Sequence, residues 1–253
     1  MRTTTLLTTV ALLLMVGVAP VPAGIFSEFE APTYTAGLDI IGVDGWGQFP
    51  GTDPTGVVTP DAVSGFETVL SGNQSYTVTT TTDIIAKEFD PGTSLDLETI
   101  SWRWLIEPGG NGFGALYFSS DLAQGFIDGG IQANLDTTGN FDLLGVGGTI
   151  VPSQVPVVAG VEYLMEIQID FSDPGNNFFI AFATDLTHGG PRLQIIDLAL
   201  AVTNANEASM AANGGLIITA STPTTFDAIE ITPEPSTIGL LAMSAMMLGR
   251  RRR

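Results

Sequence analysis

The sequence contains no cysteine, one histidine and only eight basic residues. Without cysteine, disulfides and thiolate metal ligands are excluded, so the fold must depend on burial of an apolar core. The one histidine, His188, lies in the stretch Thr-His-Gly-Gly-Pro, whose composition predicts an exposed turn. A lone histidine does not supply a His-rich metal site or a Ser-His-Asp triad unless partners come from elsewhere in the chain. The sequence also lacks a Gly-x-Ser-x-Gly elbow and a phosphate-binding glycine loop.

Positive charge is especially scarce in the middle of the chain. Arg2 and the arginines at 250–253 lie at the two ends. The part of the chain between them has 27 acidic residues and only three basic ones, Lys87, Arg103 and Arg192. Such an excess of carboxylates repels phosphate backbones and anionic lipid, which argues against binding to nucleic acid. Neutral polysaccharide, divalent cations and basic proteins remain compatible as partners. The simpler explanation of the acidic composition is that it keeps the protein soluble.

The amino-terminal end has the order of a secretory signal peptide. Arg2 precedes an apolar stretch over 6–18, and small residues follow up to Ala23. A charged start, an apolar centre and a small-residue end are what the export machinery cleaves. We therefore predict a signal peptide over 1–23 and a mature chain that begins at Gly24.

The carboxyl-terminal end has three parts over 233–253. It consists of Pro233, Glu234 and Pro235, an apolar segment over 236–249, and then Arg250, Arg251, Arg252 and Arg253. The apolar segment would rise about 21 Å as a helix, short of the roughly 30 Å hydrocarbon core of a bilayer. Terminal arginines stay on the cytoplasmic side, so this pattern predicts a transient membrane anchor with a cationic stop. The alternative is a buried amphipathic helix, which the absence of charge over 238–248 disfavours.

This tripartite tail resembles the PEP-CTERM sorting domain of Gram-negative bacteria. In that family an exosortase is thought to remove the tail during export to an envelope rich in exopolysaccharide. The resemblance implies an exosortase-type enzyme and the secretion machinery as partners. It also implies a location at the cell surface or in the extracellular matrix of a Gram-negative-type bacterium, with membrane contact only through the tail before processing.

Between the two ends, 24–232 is predicted to be one β domain. Apolar and polar residues alternate over 100–106 and over 161–171, as expected of strands with one buried face. Turn residues over 108–112 predict a hairpin between the first of these strands and 113–119, and those over 173–177 predict a hairpin with 178–184. A short helix is predicted over 204–212. With many strands and no alternating helices, the pattern favours an all-β, antiparallel β-sandwich of jelly-roll type.

Short segments resemble concanavalin-like and laminin-G-like jelly rolls. They are Phe29-Glu30, Asp44-Gly45-Trp46 and the closing strand over 226–231. In that family the first and last strands lie side by side, which would bring Glu30 and Asp227 together. The resemblance also implies a structural calcium ion, with Glu30 and Asp227 as metal ligands and Glu28 as a weaker candidate. We otherwise expect no cofactor, and ordinary carboxylates at strand ends are the alternative.

Catalysis would require a suitable pair of carboxylates. Retaining glycosidases hold two carboxyl groups about 5 to 5.5 Å apart, which residues i and i+2 on a strand approach. Gln168 stands between Glu166 and Asp170 where retaining jelly-roll glucanases, which this strand resembles, have an acid, and an amide cannot act as nucleophile or proton donor. The pairs Glu28 with Glu30 and Asp96 with Glu98 have the required spacing and stay as weaker alternatives.

Tryptophans are candidates for stacking on sugar rings. Trp102 and Trp104 alternate with aliphatic residues and are predicted to be buried. Trp46 lies in a Gly- and Asp-rich stretch, where we predict either carbohydrate binding from a loop or a cap over the end of the sandwich.

These observations predict an exported protein of the cell surface or exopolysaccharide matrix. Its role would be non-catalytic, structural or adhesive, with weak carbohydrate binding. A jelly-roll glycoside hydrolase or polysaccharide lyase is one alternative, and a structural coat protein without a ligand is another.

Overall fold

The computed structural model of the chain describes most of its middle part. The residues described are 24–30, 32–33, 40–49, 63–64, 70, 74–78, 84–89, 97–119, 121–124, 127–145, 149–170, 177–196, 199–201 and 214–233. The predicted signal peptide, the sorting tail beyond Pro233, the short helix over 204–212 and Asp96 lie outside them.

The described residues form sixteen strands. In chain order they are β1 (Gly24–Ser27), β2 (Trp46–Gln48), β3 (Val63–Ser64), β4 (Ser75–Val78), β5 (Ile84–Glu88), β6 (Leu97–Ile106), β7 (Phe113–Ser119), β8 (Gly129–Asn134), β9 (Asn140–Leu144), β10 (Ile150–Pro156), β11 (Glu162–Asp170), β12 (Phe178–Asp185), β13 (Arg192–Gln194), β14 (Leu200–Ala201), β15 (Gly215–Ala220) and β16 (Thr224–Pro233). Their one helical element is a 3₁₀ turn at Leu122–Gln124. Among the described residues no helix is long and apolar enough to cross a membrane.

The strands form two antiparallel sheets. The larger sheet has nine strands, in the order β13-β12-β11-β6-β16-β4-β3, with β1 beside β16 and β14 beside β12. The smaller sheet has seven strands, in the order β10-β9-β8-β7-β15-β5-β2. The predicted all-β antiparallel sandwich of jelly-roll type is therefore confirmed.

The core lies between the two sheets. Alternation places Trp102 and Trp104 of β6 and Met165 of β11 on the inner face of the larger sheet, each at most 1% exposed. Leu116 and Phe118 of β7 face them from the smaller sheet and are fully buried. A buried aromatic or aliphatic side chain contributes about 1.5 to 3 kcal/mol, so this double layer stabilises the fold without disulfides.

The predicted hairpin of β11 with β12 is confirmed, whereas the one of β6 with β7 is wrong. β11 and β12 pair continuously from Tyr163 opposite Asp185 to Asp170 opposite Phe178. β6 instead pairs with β11 and β16, while β7 pairs with β8 and β15 in the other sheet. The connection over 107–112 crosses one end of the sandwich, held by a bond from the Glu107 amide to the Pro223 carbonyl. Six residues can span the roughly 10 Å between two packed sheets, so their turn composition does not distinguish a hairpin from a crossover.

The first and last strands lie side by side, as the concanavalin-like resemblance implied. β1 pairs with β16 from Gly24 opposite Ile231 to Ser27 opposite Ile229. β16 continues through Pro233, which we had placed in the sorting tail. A β-bulge interrupts β16 between Asp227 and Glu230, where Ala228 has a φ of 46°. The bulge therefore lies beside the predicted ligand Asp227.

Candidate functional site

The outer face of the larger sheet carries a half-exposed polar surface, which we call the polar face. Since side chains alternate along a strand, residues between the buried positions of β6, β11 and β16 point away from the core. The polar face consists of Thr99, Ser101, Arg103, Glu162, Glu166, Gln168, Asp170, Glu230 and Thr232. All nine are partly exposed. The pairing register places Glu166, Ser101 and Glu230 in one row across the three strands, and Gln168, Thr99 and Thr232 in the next.

Two arginines hold glutamates on this side of the sheet. Arg103 Nη1 donates to Glu162 Oε1 at 2.6 Å and to the Leu70 carbonyl at 2.7 Å. Arg192 donates from Nε and Nη2 to the two carboxylate oxygens of Glu166, at 2.6 and 3.2 Å. The Arg192 guanidinium carbon also lies 3.3 Å from the centre of the Phe182 ring. Paired and stacked arginines are more rigid than free ones, so both side chains are preorganised.

Catalysis would need two carboxylates at a suitable separation, and the polar face contains several carboxylates. Glu166 and Asp170 are four residues apart, about 13 Å along the strand. Glu166 and Glu230 are separated by β6, which places their backbones about 9.6 Å apart. Carboxyl groups lie roughly 5 to 5.5 Å apart in retaining glycosidases and roughly 6.5 to 9.5 Å apart in inverting enzymes, so this backbone spacing is nearer to the inverting arrangement. Glu166 has both oxygens bonded to Arg192, which favours a structural role for it.

Glu30 and Asp227, the predicted calcium ligands, bind adjacent residues of the chain. The Gln74 amide donates to Glu30 Oε1 at 3.1 Å, and the Ser75 hydroxyl donates to Asp227 Oδ2 at 2.7 Å. The Ala228 amide donates to Asp227 Oδ1 at 2.7 Å, and Asp227 is only 1% exposed. The two carboxylates thus contact consecutive residues, Gln74 and Ser75.

The oxygen atoms of this neighbourhood fit a calcium ion chemically. Gln74, whose backbone amide contacts Glu30, has a buried side-chain oxygen, Oε1, without a hydrogen-bond partner. Calcium prefers such carboxylate and amide oxygens. The described residues contain no group of three acidic, histidine or cysteine side chains that could hold a metal, so an amide oxygen would be needed as a further ligand. Glu28 is exposed.

Trp46 is a core residue. It begins β2, is 1% exposed, and its ring lies 6.0 Å from that of Phe29. A ring buried this deeply has no face left for a sugar, so Trp46 is not a stacking residue. Its position matches the alternative interpretation, in which it packs over the core.

His188 lies in an exposed turn, as its sequence neighbours predicted. Its side chain is 67% exposed, and Nδ1 lies 2.8 Å from Asp185 Oδ2. The backbone amide of His188 donates to Asp185 and is the main cause of a lowered pKa of that carboxyl. This pair stabilises the turn after β12.

Part of the outer face of the smaller sheet is apolar. Ala115, Tyr117 and Ile217 form a second hydrophobic cluster there with Phe49 and Leu122 of the connecting segments, all at most 7% exposed. These side chains are buried, whereas the residues of the polar face are partly exposed.

Burial of Tyr117 leads to a prediction for alkaline pH. Burial raises the pKa of its phenol above the ordinary value of about 10, and burial is also the main cause of a raised pKa of Tyr163. A group with a raised folded-state pKa contributes stability below its unfolded pKa and loses it as the pH rises further. We expect the free energy of unfolding to fall above about pH 10, and less steeply in Tyr117→Phe. Urea denaturation between pH 8 and 11 measures this, and parallel profiles for the two proteins would contradict it.

The sequence did not reveal the contacts of Arg192. Its partner Glu166 lies on β11 and its aromatic neighbour Phe182 on β12, so the three meet only through pairing of β11, β12 and β13. The sequence feature that could have singled out Arg192 is the scarcity of basic residues, since Arg103 and Arg192 are two of only three between the terminal segments.

Comparisons with known proteins concern the fold alone. No family model matches the chain, and no curated protein matches it. Similar solved structures include the catalytic domain of a glycoside hydrolase family 131 protein from Coprinopsis cinerea, with a TM-score of 0.49, 14% identity, and coverage of 83% of this chain and 95% of that one. The marine PL-14 alginate lyase from Aplysia kurodai has a TM-score of 0.47 and 8% identity, covering 69% and 87%.

A non-enzymatic protein is also among the similar structures. The carbohydrate binding module CBM66 from Bacillus subtilis has a TM-score of 0.41 and 14% identity, covering 79% of this chain and 99% of the module. These three structures are at most 14% identical to this chain, with TM-scores below 0.5. The likeness does not distinguish between these roles, because function depends on the site and not on the fold.

Proposed function

We propose that this chain is an exported, non-catalytic protein of the cell surface or extracellular matrix, which contacts neutral polysaccharide weakly through the polar face. The observation that carries this proposal is the two adjacent rows of partly exposed hydroxyl, amide and carboxylate groups. Ser101, Thr99, Gln168 and Thr232 can exchange hydrogen bonds with sugar hydroxyls. Strand spacing repeats these groups about every 4.8 Å across the sheet, which suits an extended polymer.

The charge of the face favours a neutral polymer. Arg103 and Arg192 are each paired with a glutamate, while Asp170 and Glu230 add further negative charge. An anionic polysaccharide would be repelled, both here and by the acidic excess of the whole chain.

The proposal that the protein is exported rests on its two terminal segments. The signal-peptide pattern over 1–23 and the tripartite tail over 233–253 support secretion and processing by an exosortase-type enzyme. The absence of cysteine is compatible with an oxidising compartment, because no thiol can be oxidised there. A structural calcium ion held by Glu30 and Asp227 is part of the same proposal.

Retention of the full-length chain on insoluble neutral polysaccharides tests the binding part. We expect retention of the wild type, and about tenfold weaker retention of the double variant Ser101→Ala with Gln168→Ala, since each lost hydrogen bond costs about 0.5 to 1.5 kcal/mol. Val158→Ser is the matched control, because Val158 is 51% exposed and lies off the polar face. No retention on any matrix would remove the binding part and leave a structural coat protein.

The same material tests the absence of catalysis. Incubation with the polysaccharide panel should release neither reducing sugar nor unsaturated product. Release that disappears in Glu166→Gln or Glu230→Gln would overturn the non-catalytic proposal and favour an inverting hydrolase, whose two carboxylates these residues would supply.

A further inference from the structure

A second candidate binding site lies on the smaller sheet, away from the polar face. A cleft of about 640 Å³ opens where the edge strand β2 pairs with β5, beside the 3₁₀ turn at Leu122–Gln124. Its volume lies within the range of roughly 300 to 1,000 Å³ typical of small-molecule sites.

Small residues create this space. Gly45, Gly47, Ala86 and Ala123 line the cleft. A Cβ atom added to Gly47 would meet no atom within 4 Å, and Gly47 has no positive φ that would exclude a side chain. A side chain introduced at position 47 would therefore extend into open space without straining the backbone.

An ion pair between a buried lysine and an exposed aspartate adjoins the small residues. Lys87 is the one lysine of the chain and only 7% exposed, and its Nζ donates to Asp44 Oδ2 at 2.7 Å. Asp44 has a φ of 49°, a left-handed conformation that aspartate adopts more readily than most L-residues. The loop thus holds the Asp44 carboxylate against Lys87 at the cleft.

The remaining lining residues determine which ligand fits. Glu88 and Gln48 add hydrogen-bonding groups, and Phe89 and Leu122 add an apolar wall. Asp44 neutralises Lys87, so Glu88 leaves the cleft with an excess negative charge that opposes an anion. A neutral molecule with several hydroxyl groups and an apolar face meets all of these conditions.

We propose that this cleft binds one or two units of a neutral saccharide. The site is independent of the polar face and lies on the other sheet. A chain with both sites can bridge two saccharide chains, which a single binding face cannot do.

Titration calorimetry of the full-length chain with neutral disaccharides, cellobiose and maltose as probes, tests this proposal. We expect millimolar binding of at least one, and at least tenfold weaker binding in Gly47→Val, whose added side chain narrows the cleft. Glu88→Gln should retain binding within about threefold, since an amide preserves the hydrogen bonds to hydroxyl groups. Val158→Ser is the control for a substitution elsewhere, and unchanged melting temperatures exclude a folding defect in Gly47→Val.

Three outcomes would overturn the proposal. They are no binding of either disaccharide, unchanged affinity in Gly47→Val, and tighter binding of a disaccharide that carries a carboxylate. The double variant Ser101→Ala with Gln168→Ala separates the two sites. If it loses polysaccharide retention but keeps disaccharide binding, both proposals stand. If it loses both, the disaccharide binds the polar face and the cleft proposal fails alone.

Discussion

Trp104→Ala is expected to lower the free energy of unfolding by about 4 kcal/mol, the largest single effect that we predict. The ring is 1% exposed on the inner face of β6. It stacks on Phe226 at a ring-centre distance of 5.8 Å and lies 5.8 Å from Phe141 of the opposite sheet. Removing it leaves a cavity between the two sheets at the centre of the core. Urea denaturation monitored by circular dichroism measures the loss.

Trp104→Phe is the matched control for the same site. The indole Nε1 of Trp104 is buried without a hydrogen-bond partner, so replacing it removes no bond. We expect the phenylalanine variant to lose about half as much as the alanine variant, since it retains much of the packed volume. A loss below about 1 kcal/mol in Trp104→Ala would mean that the sheets do not pack through this residue.

Asp227→Ala is expected to cost about 3 kcal/mol, the second largest effect. The carboxylate is 1% exposed and accepts hydrogen bonds from the Ser75 hydroxyl of β4 and the Ala228 amide at the bulge of β16. Its loss removes the acceptor of the buried Ser75 hydroxyl and of the partly buried Ala228 amide, beside the place where the last strand pairs with β4. Glu230→Ala, on the same strand but partly exposed, should cost less than about 1 kcal/mol.

The effect of calcium on the melting temperature is a second test of the region around Asp227. If the ion binds, adding calcium raises the melting temperature of the wild type, because a ligand of the native state stabilises it. Glu30→Gln should weaken this response while retaining most of the stability without calcium. An identical melting temperature with calcium and with a chelator would remove the ion from the proposal and leave Asp227 with a structural role.

Local patterns predicted the strands well. The alternation over 161–171 and the turn composition over 173–177 led to the hairpin of β11 with β12, because both signals come from neighbours along the chain. The same kind of signal failed for β6 and β7. Alternation tells which side chains are buried, but both sheets of a sandwich bury one face in the same core, so it does not assign a strand to a sheet.

The candidate sites were less accessible to sequence reasoning. Trp46 looked like a loop residue because glycine and aspartate surround it, yet pairing of β2 with β5 makes it part of the core. Glu30 and Asp227 were brought together through the resemblance to a fold family, not through their spacing. The cleft beside Lys87 had no linear signal, since the strands and the 3₁₀ turn that line it are distant along the chain.

Composition and periodicity established the all-β class, the acidic surface and the burial of Trp102 and Trp104, because each depends on the chemistry of single residues or their near neighbours. Long-range strand pairing established everything that involves two distant segments. It placed Arg192 between Glu166 and Phe182, closed β1 against β16, and put the polar face and the cleft on different sheets. The physical reason is that hydrogen bonding between strands is not specific to sequence, so the packing of the whole core selects which strands meet.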